Sequence, residues 1–263
     1  MHKIPQTAPS DFPQAERMNH QLEKHGDARN DKYFWLRERE NPKVIQYLND
    51  ENAYTDRALA PVRDLEQTLF QEMKLRTKED ESSTPYKKGD YFYYNRFEKD
   101  QQYPIYARKK DSLAGTEEIL LNVNELAQGK SYCEVGGIRL SPNQEIMAYG
   151  VDFTGRRFYD IHFKNLKTGK TYSHTIDKTT GNMVWAADNQ TIFFTQQNAK
   201  TLRSDKVFRY DFKSHKSEQV YFEKDDTYNV YVSESLAKKY VYLISSSTLT
   251  TETRYIPSDK PHD

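Results

Sequence analysis

The sequence predicts a mainly β protein, a partial β-propeller of about three and a half four-stranded blades preceded by an N-terminal helical leader. Three observations support this fold class. Tyr and Phe, which favour strands, number 20 and 13 among 263 residues. The apolar spacing changes from a helical period to short strand-like segments at about Ser83. Strand-like segments then recur at an offset of about 46 residues.

The first helix of the leader is predicted from a capped start and an apolar period. Asn41 is a preferred capping residue and Pro42 suits the first helical position, so we expect a helix from about Pro42 to Leu59. Steps of three and four residues place five side chains of this segment on one face. These are Val44, Tyr47, Leu48, Glu51 and Tyr54.

A second helix is predicted to start at Pro61, and its apolar stripe is a packing face without an evident partner in the chain. Residues 1–30 are expected to form an irregular arm ahead of both helices. The stripe of the second helix consists of Val62, Leu65, Leu69 and Met73.

The strand-like segments repeat in a fixed order. The strand 146–149, preceded by the turn residues 141–144, recurs as 192–195 after 187–190. The next strands, and approximately the outer strands, keep the same offset, as 159–163 with 205–209 and 171–174 with 218–221. A further copy has strands at 228–232, 240–244 and 253–256, and a looser earlier copy at 84–123 has strands at 91–94, 103–107 and 118–121.

A four-strand unit of about 46 residues is typical of a propeller blade. A β-sandwich is the main alternative, but a sandwich needs no fixed four-strand period. The last copy reaches its third strand near Ile256, so we expect a chain that stops inside a larger propeller and leaves an open edge. A complete four-bladed ring with a degenerate last blade is the alternative to this interpretation.

Composition limits the function classes. Lys plus Arg and Asp plus Glu are both 39, so no basic excess indicates a nucleic-acid partner. Cys133 is the single cysteine, which excludes an internal disulfide and a cysteine metal cluster. The sequence contains no apolar run of the kind that a secretion signal or a membrane helix requires. We therefore expect a cytoplasmic protein without nucleic-acid or membrane partners.

Several segments, in order along nearly the whole chain, resemble the N-terminal portion of oligopeptidase B in the prolyl oligopeptidase family. Each match is weak alone, and their common order makes the resemblance specific. They include His25-Gly26-Asp27-Ala28-Arg29, Tyr33-Phe34-Trp35-Leu36-Arg37, the run 47–54, Met73-Lys74-Leu75-Arg76, the runs 80–86 and 121–127, Leu140-Ser141-Pro142-Asn143 and Trp185-Ala186-Ala187-Asp188.

This resemblance implies a serine oligopeptidase in which a seven-bladed propeller restricts access to a separate α/β-hydrolase domain, with cleavage of short peptides after Arg or Lys. Residues 1–80 would be the arm and two helices that wrap the hydrolase domain. Residues 81–263 would be blades one to four, the last without its outer strand. The implied partners are the C-terminal hydrolase portion and short peptides, and the open blade edge is a candidate surface for self-association.

The catalytic motif of the family is absent from this sequence. A serine nucleophile on a G-x-S-x-G elbow needs two glycines four residues apart, and no two of the ten glycines have that spacing. We therefore predict no catalytic, cofactor-binding or metal-binding residues, no cofactor, and no activity of this chain alone. The dipeptides Gly136-Gly137 and Gly181-Asn182 are interpreted as turns.

Other chemistry-bearing residues are assigned structural roles. His162 and His174 fall on predicted strands of one blade, and His20 and His25 lie in the polar arm. Cys133 lacks a visible activating partner and is interpreted as a structural thiol. The carboxylate pairs Glu117-Glu118 and Asp225-Asp226 are assigned to hairpin tips.

The segment Asp152-Phe153-Thr154-Gly155-Arg156-Arg157 joins two predicted strands. In an intact peptidase such a loop could face the hydrolase domain and carry salt bridges that gate entry. The alternative is an exposed turn with two solvated arginines. A function from another class also stays open, in which the chain is a stand-alone interaction module that holds a partner on its blade faces or open edge.

Overall fold

The computed structural model describes residues 11–263, which divide into two compact units, one up to Lys78 and one from Glu79 to Asp263. The fold is mainly β with helices near the N-terminus, as predicted. The first ten residues of the predicted arm lie outside the described part of the chain. Among residues 11–263, no helix combines the length and apolar composition that crossing a membrane requires.

The first unit contains a hairpin, two helices and two short 3-10 turns. The predicted irregular arm is wrong over residues 21–30, because these form an antiparallel hairpin with His25 and Gly26 in the left-handed region at its turn. The arm also packs back on the chain, since Trp35 Nε1 donates to the Glu16 carbonyl at 2.8 Å. The elements are β1 (Gln21–Lys24), β2 (Asp27–Asn30), a 3-10 turn (Phe34–Arg37), α1 (Pro42–Leu59), a 3-10 turn (Ala60–Val62) and α2 (Arg63–Leu75).

Helix α1 has the predicted bounds and the predicted cap. The Asn41 side chain accepts a hydrogen bond from the Lys43 backbone N–H, with Pro42 at the first helical position. The second helix begins two residues later than predicted, because Pro61 lies in the 3-10 turn and α2 starts at Arg63.

Helix α2 buries none of its residues. The exposed fractions of its apolar side chains reach 62% at Met73 and 85% at Leu75. Such a run of exposed large side chains on a helix is a surface for further packing. Its members are Leu65, Leu69, Phe70, Met73 and Leu75.

The second unit contains three antiparallel sheets. Within each sheet, strands that are consecutive in sequence pair with each other, so every connection inside a sheet is a hairpin. The four-stranded sheet is β3 (Tyr86–Lys88), β4 (Tyr91–Arg96), β5 (Ile105–Lys110) and β6 (Glu117–Asn122), followed by the short helix α3 (Val123–Leu126). The seven-stranded sheet is β7 (Glu134–Leu140), β8 (Ile146–Asp152), β9 (Tyr159–Asn165), β10 (Ile176–Trp185), β11 (Thr191–Gln197), β12 (Ser204–Asp211) and β13 (Lys216–Phe222). The three-stranded sheet is β14 (Asn229–Glu234), β15 (Tyr240–Ser246) and β16 (Thr251–Pro257).

Two predicted strands differ from the structure. The strand predicted at 103–107 begins at Ile105, because Pro104 has no N–H for the ladder and Asn124 holds the Tyr103 backbone. The strand predicted at 171–174 is reduced to one bridge between Lys164 and Thr171. His174 therefore precedes β10 instead of lying in a strand.

The predicted 46-residue offset is visible in contacts between equivalent positions. Asn143 N donates to Asn189 Oδ1 at 2.7 Å, and these residues are 46 apart. Trp185 Nε1 donates to the Arg139 carbonyl at 3.2 Å across the same separation. The repeated units thus pack side by side with matching turns in contact.

Strand β10 joins two of the predicted four-strand units into one sheet. Its first part pairs with β9 through Ile176 and Thr179, and its second part pairs with β11 from Met183 to Trp185. The register shifts between Ile176 and Thr179 in the ladder with β9, and between Thr179 and Met183 in the ladder with β11. The predicted units are therefore not separate sheets, since β10 belongs to both.

Glycines make this change of partner sterically feasible. Gly181 has a φ of +79°, and a Cβ there would lie 2.7 Å from the Gly136 carbonyl oxygen. A Cβ on Gly137 would lie 2.5 Å from the Gly181 carbonyl oxygen, and one on Gly150 would lie 2.6 Å from that of Gly136. The interpretation of Gly136-Gly137 and Gly181-Asn182 as turns is wrong, because these residues lie inside β7 and β10 where three backbones cross.

We expect Gly181→Ala to lower the free energy of unfolding by about 2–5 kcal/mol, because a left-handed residue with a Cβ costs roughly 1–2 kcal/mol and overpacking roughly 1–3 kcal/mol. Gly169→Ala is the matched control, since Gly169 has a φ of +71° with nothing within 4 Å of a new Cβ. Gly169→Ala should lower the free energy of unfolding only by the roughly 1–2 kcal/mol that the left-handed conformation costs. Urea unfolding of the 263-residue chain measures both, and equal losses would contradict a steric role for the crossing.

Candidate functional site

A cavity of the second unit has a volume of about 610 Å³. That volume lies within the range of roughly 300–1,000 Å³ that small-ligand sites occupy. Its walls come from all strands of the four-stranded sheet, β3 to β6, from β7 and the second part of β10 in the seven-stranded sheet, and from β14 in the three-stranded sheet. This cavity is the candidate site because it lies where all three sheets converge.

Charged side chains line the cavity. Lys88 in β3 and Glu234 in β14 approach each other to 3.8 Å between Nζ and Oε2. Arg139 in β7 and Lys238 in the β14–β15 turn are also part of the lining. These four are the ionisable lysine, arginine and acidic side chains of the lining, so cationic groups outnumber anionic ones.

One polar wall is held by a buried arginine. Arg108 is 4% exposed and donates to both carboxylate oxygens of Glu118, at 2.7 and 2.9 Å. Its guanidinium also lies 4.0 Å from the ring centre of Tyr91. Such a two-pronged, stacked arrangement fixes the orientation of the planar group.

Gln144 connects this wall to the β7–β8 turn. Its Oε1 accepts from the Tyr93 hydroxyl at 2.7 Å and from Arg108 Nη1 at 3.3 Å. Burial raises the pKa of Tyr93, an effect that Arg108 opposes. The phenol therefore stays protonated and able to donate at neutral pH.

An amide side chain joins two sheets next to the cavity. Asn182 Nδ2 donates to the Val232 carbonyl at 3.0 Å, and Asn182 Oδ1 accepts from the Val232 N–H at 2.7 Å. The side chain thus occupies the place of a neighbouring strand on β14. It links the seven-stranded and three-stranded sheets beside the cavity.

The loop that the sequence singled out is ordered around Asp152. This buried carboxylate accepts hydrogen bonds from Thr154, Gly155 and Arg157. Burial favours the neutral acid, but these hydrogen bonds outweigh it and lower the pKa of Asp152. Neither Arg156 nor Arg157 has an ion pair within residues 11–263, so the structure brings no salt bridge to this loop.

The histidines considered in the sequence do not converge on a site. His162 lies in β9 and stacks on Tyr149, with 5.6 Å between ring centres. His174 stacks on His215 at 3.9 Å, among aromatic rings of the neighbouring strands and turns. In the first unit, His20 stacks on Phe34 at 3.8 Å. The rings around His174 also include Phe163, Tyr172, Tyr210 and Phe212.

The other candidate groups are engaged in the fold. Cys133 is buried, and burial raises the pKa of its thiol, which disfavours the reactive thiolate. Glu117 pairs with Arg96 at 2.9 Å, and this hydrogen-bonded pair lowers the pKa of Glu117. Neighbouring Glu118 pairs with Arg108, so this carboxylate pair is divided between two arginines. In residues 11–263, no cluster of three His, Cys, Asp or Glu side chains has metal-binding geometry.

Sequence reasoning missed the cavity and its lining. Lys88 and Glu234 lie far apart in the chain, and only the sheet arrangement brings them together. The repeat was the one available signal, because first strands of successive units are expected to face a common centre.

Acidification should destabilise the chain through His174. Burial, and then the charge on His215, lower the pKa of His174 below its ordinary value of 6.5, while its Nε2 is buried without a partner. The unfolded chain therefore binds protons more readily than the folded chain near that pH. The free energy of unfolding should be highest above pH 7 and fall as the pH drops through 6.5.

His174→Phe should flatten this slope, because the ring stays and the titrating nitrogen is removed. Tyr172→Phe alters the same cluster without changing a group that titrates in this range, so its slope should match the parent chain. A residual slope remains from His162, whose pKa is also lowered by burial. Unfolding titrations in urea between pH 5 and pH 8 measure the effect, and an unchanged slope in His174→Phe would contradict it.

One protein family and several curated proteins match this chain. The family described as prolyl oligopeptidase, N-terminal beta-propeller domain, matches residues 13–263. Dipeptidyl aminopeptidase BI of Pseudoxanthomonas mexicana is 38% identical over 256 residues, covering 90% of this chain and 35% of the relative. Protease 2 of Moraxella lacunata is 34% identical over 259 residues, covering 95% of this chain and 37% of the relative.

Two solved structures of oligopeptidase B superpose on nearly the whole of this chain. Oligopeptidase B from Leishmania major superposes with a TM-score of 0.88 at 28% identity over 96% of this chain. Oligopeptidase B from Trypanosoma brucei, in a closed form with covalently bound antipain, gives 0.84 at 27% identity over 94% of this chain. The chain spans 38% of each of these two structures, and a similar share of the curated relatives.

Proposed function

We propose, from the premise that this chain belongs to the prolyl oligopeptidase family through its N-terminal β-propeller domain, that it is the propeller and gating segment of an oligopeptidase B-like serine oligopeptidase. The superposition on oligopeptidase B over 96% of the chain carries this proposal. In the assembled enzyme, a separate α/β-hydrolase portion supplies the Ser-His-Asp triad and cleaves short peptides after Arg or Lys.

The sheets of the second unit are assigned to blades on this basis. The first blade is β3–β6, and the second is β7–β9 with the first part of β10. The third is the second part of β10 with β11–β13, and β14–β16 are three strands of the fourth. Strands of all four blades line the cavity, which gives the gating segment an interior with charged groups.

The apolar face of α2 is proposed as the surface that docks on the hydrolase portion. Leu69 and Met73 are 47% and 62% exposed, and α2 has no buried residue. Covering such side chains contributes roughly 25 cal/mol for each Å² removed from water. The helices of the first unit thus belong functionally to the catalytic portion.

No catalytic residue is assigned to this chain. The nucleophile elbow requires glycines four residues apart, and the sequence has no such pair. We therefore propose that the chain alone hydrolyses no peptide. Its contribution is to select short peptides and to shield the reaction from bulk solvent.

The test is a chimera in which this chain replaces the matched N-terminal segment of Moraxella lacunata Protease 2. The chimera should cleave short peptides after Arg or Lys, and the 263-residue chain alone should cleave none. An unfolded protein substrate should be cleaved at least about tenfold more slowly than the short peptide, a difference of roughly 1.4 kcal/mol in barrier. Reaction products are identified by mass spectrometry.

Variants of α2 test the docking surface in the same chimera. Leu69→Glu should lower the rate by about tenfold or more, because docking would bury an unpaired carboxylate. Gln71→Glu adds the same charge on another face of the helix and should retain the parent rate. Equal rates for the two variants would contradict the docking assignment.

Two other outcomes have distinct meanings. Release of dipeptides would favour an activity like the one that the name of the Pseudoxanthomonas mexicana relative states. A folded, monodisperse chimera without hydrolysis would refute the proposed function. It would favour the stand-alone interaction module, with a partner held on the blade faces or on the open edge of β16, where self-association is also expected.

A further inference from the structure

We propose that the central cavity binds the C-terminal end of a peptide, with the α-carboxylate held by Arg139 and Lys238. This inference deepens the proposed function and rests on it for the choice of a peptide as ligand. The cavity has a volume of about 610 Å³, which is enough for a short peptide end.

The charge of the lining favours an anionic group. Lys88, Arg139 and Lys238 are cationic, and Glu234 is the one carboxylate of the lining. Glu234 lies 3.8 Å from Lys88, so this pair offsets its own charge. Arg139 and Lys238 have no carboxylate partner within residues 11–263, which leaves an excess of positive charge in the cavity.

The remaining lining suits a peptide better than a small inorganic anion. Val184 and Trp185 give it an apolar wall, while Asn95 and Ser233 add an amide and a hydroxyl. A peptide end combines one carboxylate with amides and apolar side chains and matches all three surfaces. A concave site with apolar walls also concentrates the field of its charges on the ligand.

The same charge arrangement sets the direction of the peptide. A protonated α-amino group is repelled by the excess positive charge, whereas the C-terminal carboxylate is attracted. The peptide therefore enters with its C-terminal end in the cavity. An amidated peptide lacks the anion and loses the principal contact.

Trp185 provides a direct readout of binding. It lines the cavity, and its Nε1 donates to the carbonyl of Arg139, one of the proposed carboxylate ligands. The chain contains two tryptophans, so Trp35→Phe leaves Trp185 as the single indole fluorophore. Binding of a peptide should shift its emission.

The experiment titrates the Trp35→Phe chain with acetyl-tetra-alanine carrying a free carboxylate and with the same peptide amidated. The free acid should bind, and the amide should bind about twofold to fivefold more weakly, the range expected for one partly exposed charge contact. Binding of the free acid should weaken with added salt.

Variants that reverse or remove one charge locate the contact. Lys238→Glu replaces attraction by repulsion and should weaken binding of the free acid by about threefold to tenfold, whereas Arg139→Gln removes one charge and should weaken it by about twofold to fivefold. Lys239→Glu is the matched control, because Lys239 is the exposed neighbour that does not line the cavity. It should change the affinity less than about twofold. Circular dichroism of each variant checks that the fold is retained.

Three results would overturn the inference: equal affinity for the acid and the amide, equal loss in Lys238→Glu and Lys239→Glu, or displacement of the peptide by equimolar inorganic phosphate. The last result would identify a site for any small anion. Because this assay needs no hydrolysis, an inactive chimera with intact peptide binding refutes only the proposed function. An active chimera without peptide binding refutes only this inference.

Discussion

The architecture of the second unit depends on the close crossing of three backbones at Gly136, Gly150 and Gly181. No side chain fits between them, since a Cβ at any of the three positions would lie under 3 Å from a neighbouring atom. Gly181 also adopts a left-handed conformation that other residues avoid. Because of this crossing, β10 leaves β9 and joins β11 within a few residues.

Hydrogen bonds of residues 179–182 hold the crossing that the glycines make sterically feasible. Thr179 Oγ1 donates to the Tyr159 carbonyl at 2.8 Å and accepts from the Gly181 N–H at 3.0 Å. Asn182 then binds both backbone groups of Val232 and attaches the last sheet. One short segment, 179–182, therefore sets the positions of the strands that enclose the cavity. The charged lining of the cavity therefore depends on the backbone geometry of this crossing, against which the Tyr159 ring packs.

Local signals in the sequence predicted the elements that depend on local interactions. Helix α1 has its predicted bounds because its cap, Asn41-Pro42, acts within one turn. The repeated strands were found because each blade-like unit uses the same turn residues, and Asn143 and Asn189 meet at the predicted offset. The mainly β class follows from the same pattern.

Contacts between segments that are distant in sequence could not be predicted from these local signals. Gly181-Asn182 has the composition of a turn, and only contact with Gly136 makes it a strand crossing. The 21–30 hairpin was missed because its strands are short and polar, without an alternating apolar pattern. The cavity was missed because residues such as Lys88 and Glu234 become neighbours only after the sheets have packed.

Amide hydrogen exchange in β9 and β11 of the 263-residue chain shows whether the crossing at Gly181 makes the two strand ladders one cooperative unit. If β10 unites the two strand ladders, the slowest amides of β9 and β11 should open with free energies equal within about 1 kcal/mol, as one cooperative unit. Gly181→Ala should lower both values together. Opening of β9 and β11 at clearly different free energies, with Gly181→Ala affecting only one of them, would contradict the account.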